Sequence, residues 1–137
     1  MYKLIMIPVD LEHADTLEKA LEVGSVLAKH YEAELYIVGV THAAPGAVAH
    51  NPLEYAEKLQ AFAADQTAKH GIDFKSKAVV SHDPAVDLDD KLMQVASDIR
   101  ADLIVMASHI PGFLDYVFAS KAGYLASHSN LSVFIVR

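Results

Sequence analysis

Apolar, strand-like runs alternate with amphipathic helical segments along this chain of 137 residues. Residues 3–9 and 34–40 are near-continuous apolar runs, which are typical of strands buried on both faces of a sheet. Between them, apolar residues recur at helical spacing from about Asp15 to His30. Strands joined by helices pair in parallel through right-handed crossovers, so the alternation predicts an α/β fold. We expect an open, mainly parallel sheet with helices on both faces.

The rest of the chain continues the alternation. Asn51, Pro52 and Glu54 form a good helix start, with a capping residue, a proline at the first helical position and an acid at the third. That helix is predicted to end near His70, where Gly71 suits the C-terminal cap. Further predicted elements are strands over 75–80, 103–106 and 133–136, and helices that begin at Asp83-Pro84 and near Ser120. No linker or repeat interrupts the pattern, so a single domain is expected over residues 1–137.

Composition narrows the classes of function. Hydrophobic residues make up 53% of the chain, too many for a disordered polymer, and no apolar run approaches the ~20 residues of a membrane span. The absence of cysteine excludes disulfides, thiolate metal sites and a cysteine nucleophile. The net charge of −7 argues against nonspecific binding to nucleic acid. We therefore expect a cytoplasmic protein with no nucleic-acid or membrane partner.

A polar loop follows the fourth predicted strand and carries the most informative motif. It reads Ala107-Ser108-His109-Ile110-Pro111, and Ala119-Ser120-Lys121 then begins the last predicted helix. In an open parallel sheet, the loops at the carboxyl ends of the strands form the crevice in which ligands bind. The amides at the start of a helix are free donors with a partial positive charge, which suits phosphate. This segment is therefore a candidate phosphate-binding site.

This layout and these motifs resemble the universal stress protein (Usp) family. Nucleotide-binding members carry a G-x2-G-x9-G-[ST] pattern here, and one branch reads Ala-Ser-His-Arg-Pro followed by Gly-Ser. The present chain keeps the Ala-Ser-His-x-Pro framework at residues 107–111 and Ala119-Ser120 at the second half. The resemblance covers the whole chain and is strongest at Ile7-Pro8-Val9-Asp10 and at residues 132–137.

The resemblance implies the adenine-nucleotide α-hydrolase-like fold, with strand order 3-2-1-4-5, and a homodimer through the last strand, Val133 to Val136. It also implies a regulator or sensor in a stress response that binds ATP, ADP or AMP, with Mg²⁺ as an accompanying ion, rather than a turnover enzyme. The implied nucleotide-binding residues are Pro8, Val9, Asp10, Val40, Met106, Ala107, His109, Ala119, Ser120 and Lys121.

Five of these residues have a more specific expected role, and two of the five also have a simpler alternative. Asp10 would accept hydrogen bonds from ribose hydroxyls or help to hold a divalent cation, or it caps the turn that follows it. Val40 would bind adenine through its backbone. His109 would donate to phosphate or ribose, or it braces its own loop. Ser120 would cap the last helix and place its hydroxyl on a phosphate, and Lys121 would supply a cation nearby.

Three departures from the family pattern leave a second interpretation open. Alanine replaces the family glycine at 107 and at 119, and at 119 the glycine would let the backbone approach phosphate closely. Ile110 replaces an arginine, a possible cation near the phosphates. The alternative function is a nucleotide-free dimeric interaction protein that keeps the fold. A third possibility, slow ATP hydrolysis, needs a base for water, for which Asp10 and His109 are the candidates. The eight histidines form no closely spaced pair, so no protein metal site is expected, and no catalytic residue is assigned.

Overall fold

The computed structural model describes residues 1–108, 127 and 130–137, without the side chains of residues 84–86. The described residues contain five strands: β1 (Leu4–Val9), β2 (Glu34–His42), β3 (Phe74–Ser81), β4 (Leu103–Ala107) and β5 (Ser132–Val136). They form one sheet in the order β3-β2-β1-β4-β5, and every pair of neighbours is parallel. The predicted strand order and the parallel pairing are both confirmed.

Three α-helices connect these strands: α1 (Glu18–Tyr31), α2 (Pro52–His70) and α3 (Pro84–Asp98). The start of α2 is as predicted, because the Asn51 side chain accepts a hydrogen bond from the Glu54 N–H at 2.8 Å. Its end is also as predicted, because Gly71 takes the left-handed conformation at φ 66°. The predicted start of the last helix, near Ser120, lies outside the described residues, whereas Ser127 is described and is helical.

The first helix begins differently from the prediction. Instead of an α-helix from about Asp15, a 3₁₀ helix spans Leu11–Leu17 and α1 begins only at Glu18. The Asp10 carboxylate caps this 3₁₀ helix directly after β1, and His13 departs from helical geometry with φ −126° and ψ 42°. Because Asp10 caps a helical turn directly after β1, helical structure begins at Leu11, before the apolar repeat that predicted α1.

The helices cover both faces of the sheet, as predicted. Buried residues of α1 and α2 pack with the β1 side chains Ile5, Ile7 and Val9 in one core cluster. Buried residues of α3 pack in a second cluster with Met6 and Val38, which point from β1 and β2 to the opposite face. Alternate residues of each strand therefore serve opposite layers, which explains why β1 is apolar throughout.

None of the described helices combines the length and the apolar character needed to cross a bilayer. The cytoplasmic location stays a prediction.

Candidate functional site

A cleft of about 190 Å³ opens at the carboxyl ends of β1 and β2. Its walls are Val9, Asp10 and Glu12 on the β1 side, residues 40–42 at the end of β2, and most of the loop 44–49. Tyr55 of α2 and Leu88 of α3 complete it. This is the edge of an open parallel sheet at which ligands bind.

Asp10 stands where β1 ends and the cleft begins. One carboxylate oxygen accepts a hydrogen bond from the Glu12 N–H at 3.0 Å, and the other lies 3.0 Å from Nδ1 of His13. The turn-capping role that the sequence left open is therefore present. Each carboxylate oxygen has two acceptor sites, so Asp10 keeps acceptor capacity toward the cleft.

His13 and Glu12 complete a small charged group around Asp10. The hydrogen bond with the Asp10 carboxylate raises the pKa of His13 above its ordinary value of 6.5, and the charge of Asp10 acts in the same direction. Ligand atoms of Asp10, Glu12 and His13 lie within 4.8 Å of one another. Histidine spacing alone did not reveal this group, because two of its members are carboxylates.

The structure places Val9 and Val40 on opposite strands of the same cleft. Val9 is almost fully buried, whereas Val40 is half-buried and packs against the core cluster on the α3 side of the sheet. Pro8 is fully buried and does not line the cleft.

The predicted residues of β4 lie at the same edge of the sheet but on the other side of β1. Met106 is 4% exposed and packs in the core cluster on the α3 side, while Ala107 is half-buried at the end of the strand. Neither lines the cleft between β1 and β2. The predicted residues His109, Ala119, Ser120 and Lys121 lie outside the described residues.

Tyr55 is one of the cleft residues that the sequence did not reveal. It lies in the first turn of α2, and its side chain is 4% exposed. A Cβ on Gly39 would overlap the Tyr55 hydroxyl oxygen and lie 3.0 Å from two ring carbons, so the ring rests directly on the backbone of β2. The one sequence signal for this contact is a glycine inside an apolar strand, which often marks a close approach of another group.

The lining of this cleft favours a neutral ligand group. The described residues that line it include the carboxylates of Asp10 and Glu12 and contain no lysine or arginine. Its apolar walls come from Val9, Val40 and Val48. A phosphate placed among these side chains would face like charge, whereas a heterocyclic base or a sugar would not.

Comparison with solved structures shows the same fold. A universal stress protein in complex with cAMP has a TM-score of 0.68 and 19% identity, with 99% of this chain and 97% of that chain covered. The universal stress protein from Archaeoglobus fulgidus in complex with dAMP has a TM-score of 0.63 and 19% identity, with 99% and 98% covered.

Comparison with curated sequences gives the family. Universal stress protein G of Shigella flexneri and that of Escherichia coli O157:H7 are each 25% identical to this chain over 148 residues, with both chains covered completely. The model of the universal stress protein family matches residues 1–137. The chain therefore belongs to the universal stress protein family.

Proposed function

We propose that this protein binds an adenine nucleotide (ATP, ADP or AMP) and acts as a regulator or sensor in a stress response. The observation that carries the proposal is the cleft that brings Val9, Asp10 and Val40 together at the carboxyl edge of the sheet. These are residues for which the family resemblance implies contacts with nucleotide. The cAMP and dAMP bound by two structural neighbours support the class of ligand.

The base and ribose would lie in the cleft between β1 and β2, with the phosphates directed toward the chain that follows β4. This orientation follows from charge, because the described cleft lining has two carboxylates and contains no lysine or arginine. Met106 and Ala107 would lie beside the adenine and ribose in this proposal, and the phosphate-binding residues are His109, Ala119, Ser120 and Lys121. The Ala-Ser-His-x-Pro sequence at residues 107–111 supports placing the chain in the family branch with that motif.

Mg²⁺ is part of the proposal because the residues at the cleft fit it. Asp10 and Glu12 both line the cleft, and carboxylate oxygens are ligands that Mg²⁺ prefers. Mg²⁺ keeps several waters and binds through one or two carboxylates plus phosphate oxygens. Asp10 and Glu12 would hold the ion against the phosphates and offset their repulsion from these two side chains.

Isothermal titration calorimetry with ATP, ADP and AMP, with and without Mg²⁺, tests this function. We expect binding of modest affinity, because alanine at 107 and 119 and isoleucine at 110 replace the two glycines and the arginine of the family pattern. No heat and no thermal shift at millimolar nucleotide would contradict the proposal. That result would leave the alternative, a nucleotide-free dimeric interaction protein.

We also propose that the protein is a cytoplasmic homodimer that pairs through β5. In the described sheet β5 is an edge strand, and its side chains Phe134 and Ile135 are 45% and 47% exposed. An uncovered apolar edge strand invites aggregation. Pairing two copies about a twofold axis would satisfy the free backbone groups and bury these side chains.

A further inference from the structure

We propose that the Tyr55 hydroxyl determines specificity by donating a hydrogen bond to a ring nitrogen of the bound base. This inference rests on the proposed nucleotide binding and adds a residue from α2 to the contacts that the family pattern implies. Four properties of the side chain carry it: its fixed position, a hydroxyl that no described residue pairs, its protonation state and the chemistry of the surrounding cleft.

The position of Tyr55 is fixed by the start of α2 and by the strand beneath it. Its N–H donates to the Asn51 carbonyl at 3.1 Å in a helix turn that the Asn51 side chain also caps. Leu59 and Ala63 continue the same buried face of the helix. The ring rests on Gly39, where a β-carbon has no room. Tyr55 is therefore held in the wall of the cleft by a rigid support.

Among the residues that the structure describes, none pairs with this hydroxyl. Tyr55 is 4% exposed, and its hydroxyl makes no hydrogen bond to any residue that the structure describes. Tyr2 provides a contrast, because its hydroxyl donates to the Ser132 hydroxyl at 3.1 Å. Buried tyrosine hydroxyls usually have a hydrogen-bond partner. A phenylalanine would fill the same space against Gly39, so what the hydroxyl adds is a hydrogen-bonding group on a residue that lines the cleft.

The Tyr55 hydroxyl is held in its protonated form. Burial raises its pKa, and the nearby charge of Asp10 raises it further. The group is therefore a hydrogen-bond donor at neutral pH, and Asp10, which lines the same cleft, is an acceptor. The cleft thus offers one donor and one acceptor.

The chemistry of the cleft selects the base as the partner. Val9, Val40 and Val48 give it apolar walls, and its described lining contains no lysine or arginine. A flat purine suits such walls, and its ring nitrogens are acceptors for a phenol donor. Asp10 would then accept from a ribose hydroxyl or from an amino group of the base.

Titration of adenosine, AMP and ATP into the Tyr55→Phe variant tests the contact. We expect roughly tenfold weaker binding, because a buried acceptor on the base loses its donor. The factor should be the same for all three ligands, since the base is common to them. The melting temperature should not fall, because the lost hydroxyl bonds to no described residue.

Tyr36→Phe is the matched control. Tyr36 lies on β2 beside Lys75, with its ring centroid 5.7 Å from the lysine nitrogen, and it does not line the cleft. Its substitution makes the same chemical change and should leave the three affinities unchanged. Adenosine analogues with one ring nitrogen replaced by CH add a second arm. One of these analogues should bind the wild-type protein about as weakly as adenosine binds Tyr55→Phe. The affinity of that analogue should not fall further in Tyr55→Phe, because both changes remove the same hydrogen bond.

The outcomes separate this inference from the function on which it rests. Wild-type binding with an unchanged affinity in Tyr55→Phe would overturn the role of Tyr55 and leave nucleotide binding intact. A loss confined to ATP, or an equal loss in Tyr36→Phe, would also overturn it. If every analogue loses affinity in Tyr55→Phe just as adenosine does, a ring nitrogen is not the partner of the hydroxyl. Failure of the wild-type protein to bind any of the ligands would overturn both proposals.

Discussion

At Gly39 the backbone of β2 and the ring of Tyr55 approach so closely that no side chain fits between them. Gly39→Ala should therefore lower the free energy of unfolding by about 1–3 kcal/mol, as expected when a packed core is overfilled. Urea denaturation measures this change. Gly46→Ala is the matched control, because a β-carbon there meets nothing within 4 Å, and its effect should stay within about 0.5 kcal/mol. Equal losses in the two variants would contradict the close packing.

The contact between His13 and Asp10 makes a pH-dependent prediction. The hydrogen bond to Asp10 raises the pKa of His13 in the folded protein above 6.5, so an NMR titration without Mg²⁺ should find a value above that. The contribution of the contact to stability is then fully present below about pH 6.5 and is lost as the pH rises through the folded pKa. Stability from this contact should be greater at pH 6 than at pH 8.

Two variants check the source of that shift. Asp10→Asn removes the charged acceptor and should bring the His13 pKa back toward 6.5. Asp15→Asn should change it less, because Asp15 acts only through its charge and is the weakest contributor. A His13 titration that does not respond to Asp10→Asn would show that the contact is not formed in solution.

Only part of the site could be predicted from individual residues. Val9, Asp10 and Val40 were assigned from the family resemblance, and they line one cleft. The sequence left two roles open for Asp10, and the turn cap became visible only with the Glu12 N–H in place. Tyr55 was missed because helical periodicity predicts a buried face, whereas its contact depends on Gly39 in a different element.

The ends of the helices make a prediction at the scale of an element. Both α1 and α2 are followed by a residue in the left-handed conformation, Glu32 at φ 55° and Gly71 at φ 66°. A side chain at such a φ is unfavourable, so Glu32→Gly should raise the free energy of unfolding by about 0.5–1 kcal/mol. Gly71→Ala should lower it by about 1 kcal/mol for the same reason. Chemical denaturation measures both, and changes of the same sign would contradict the shared geometry.

The elements themselves were largely predictable. The strand predicted over 75–80 is β3 (Phe74–Ser81), and the helix predicted from Asn51-Pro52 is α2 (Pro52–His70). The 3₁₀ helix Leu11–Leu17 was not predicted, because so short a stretch gives little apolar periodicity and its start depends on the Asp10 cap. The capping residues Asn51 and Gly71 therefore predicted the ends of α2 well. The side chain that starts the first helical region, Asp10, was interpreted mainly as a candidate ligand-binding group.

At the scale of the whole molecule, the proposed dimer predicts the effect of a charge on β5. Sedimentation velocity at tens of micromolar should show a wild-type dimer, and Ile135→Lys should give a folded monomer because it places charge in the proposed interface. Val80→Lys is the matched control, since Val80 is 39% exposed on β3 at the opposite edge of the sheet. A wild-type monomer, or an equal shift in Val80→Lys, would contradict pairing through β5.

The architecture is the level at which the sequence was most informative. The alternation of strands and helices predicted a parallel sheet covered by helices on both faces. The physical reason is that parallel strands need crossover connections, which the helices provide. The order β3-β2-β1-β4-β5 came from the family resemblance, since alternation alone does not fix which strands are neighbours. The cleft between β1 and β2 needed the loop 44–49 and α2 in place, and no local pattern predicts where those meet.

The central claim is that an adenine nucleotide occupies the cleft between β1 and β2, and amide NMR shifts during an AMP titration test it most directly. The largest shifts are predicted at Val9, Asp10, Val40 and Thr41, with Tyr55 responding from α2. A second groove, between α2 and β3 and lined by Thr67 and Lys75 among others, serves as an internal reference and should be unaffected. Shifts centred on that groove, or no shifts at millimolar AMP, would contradict the account.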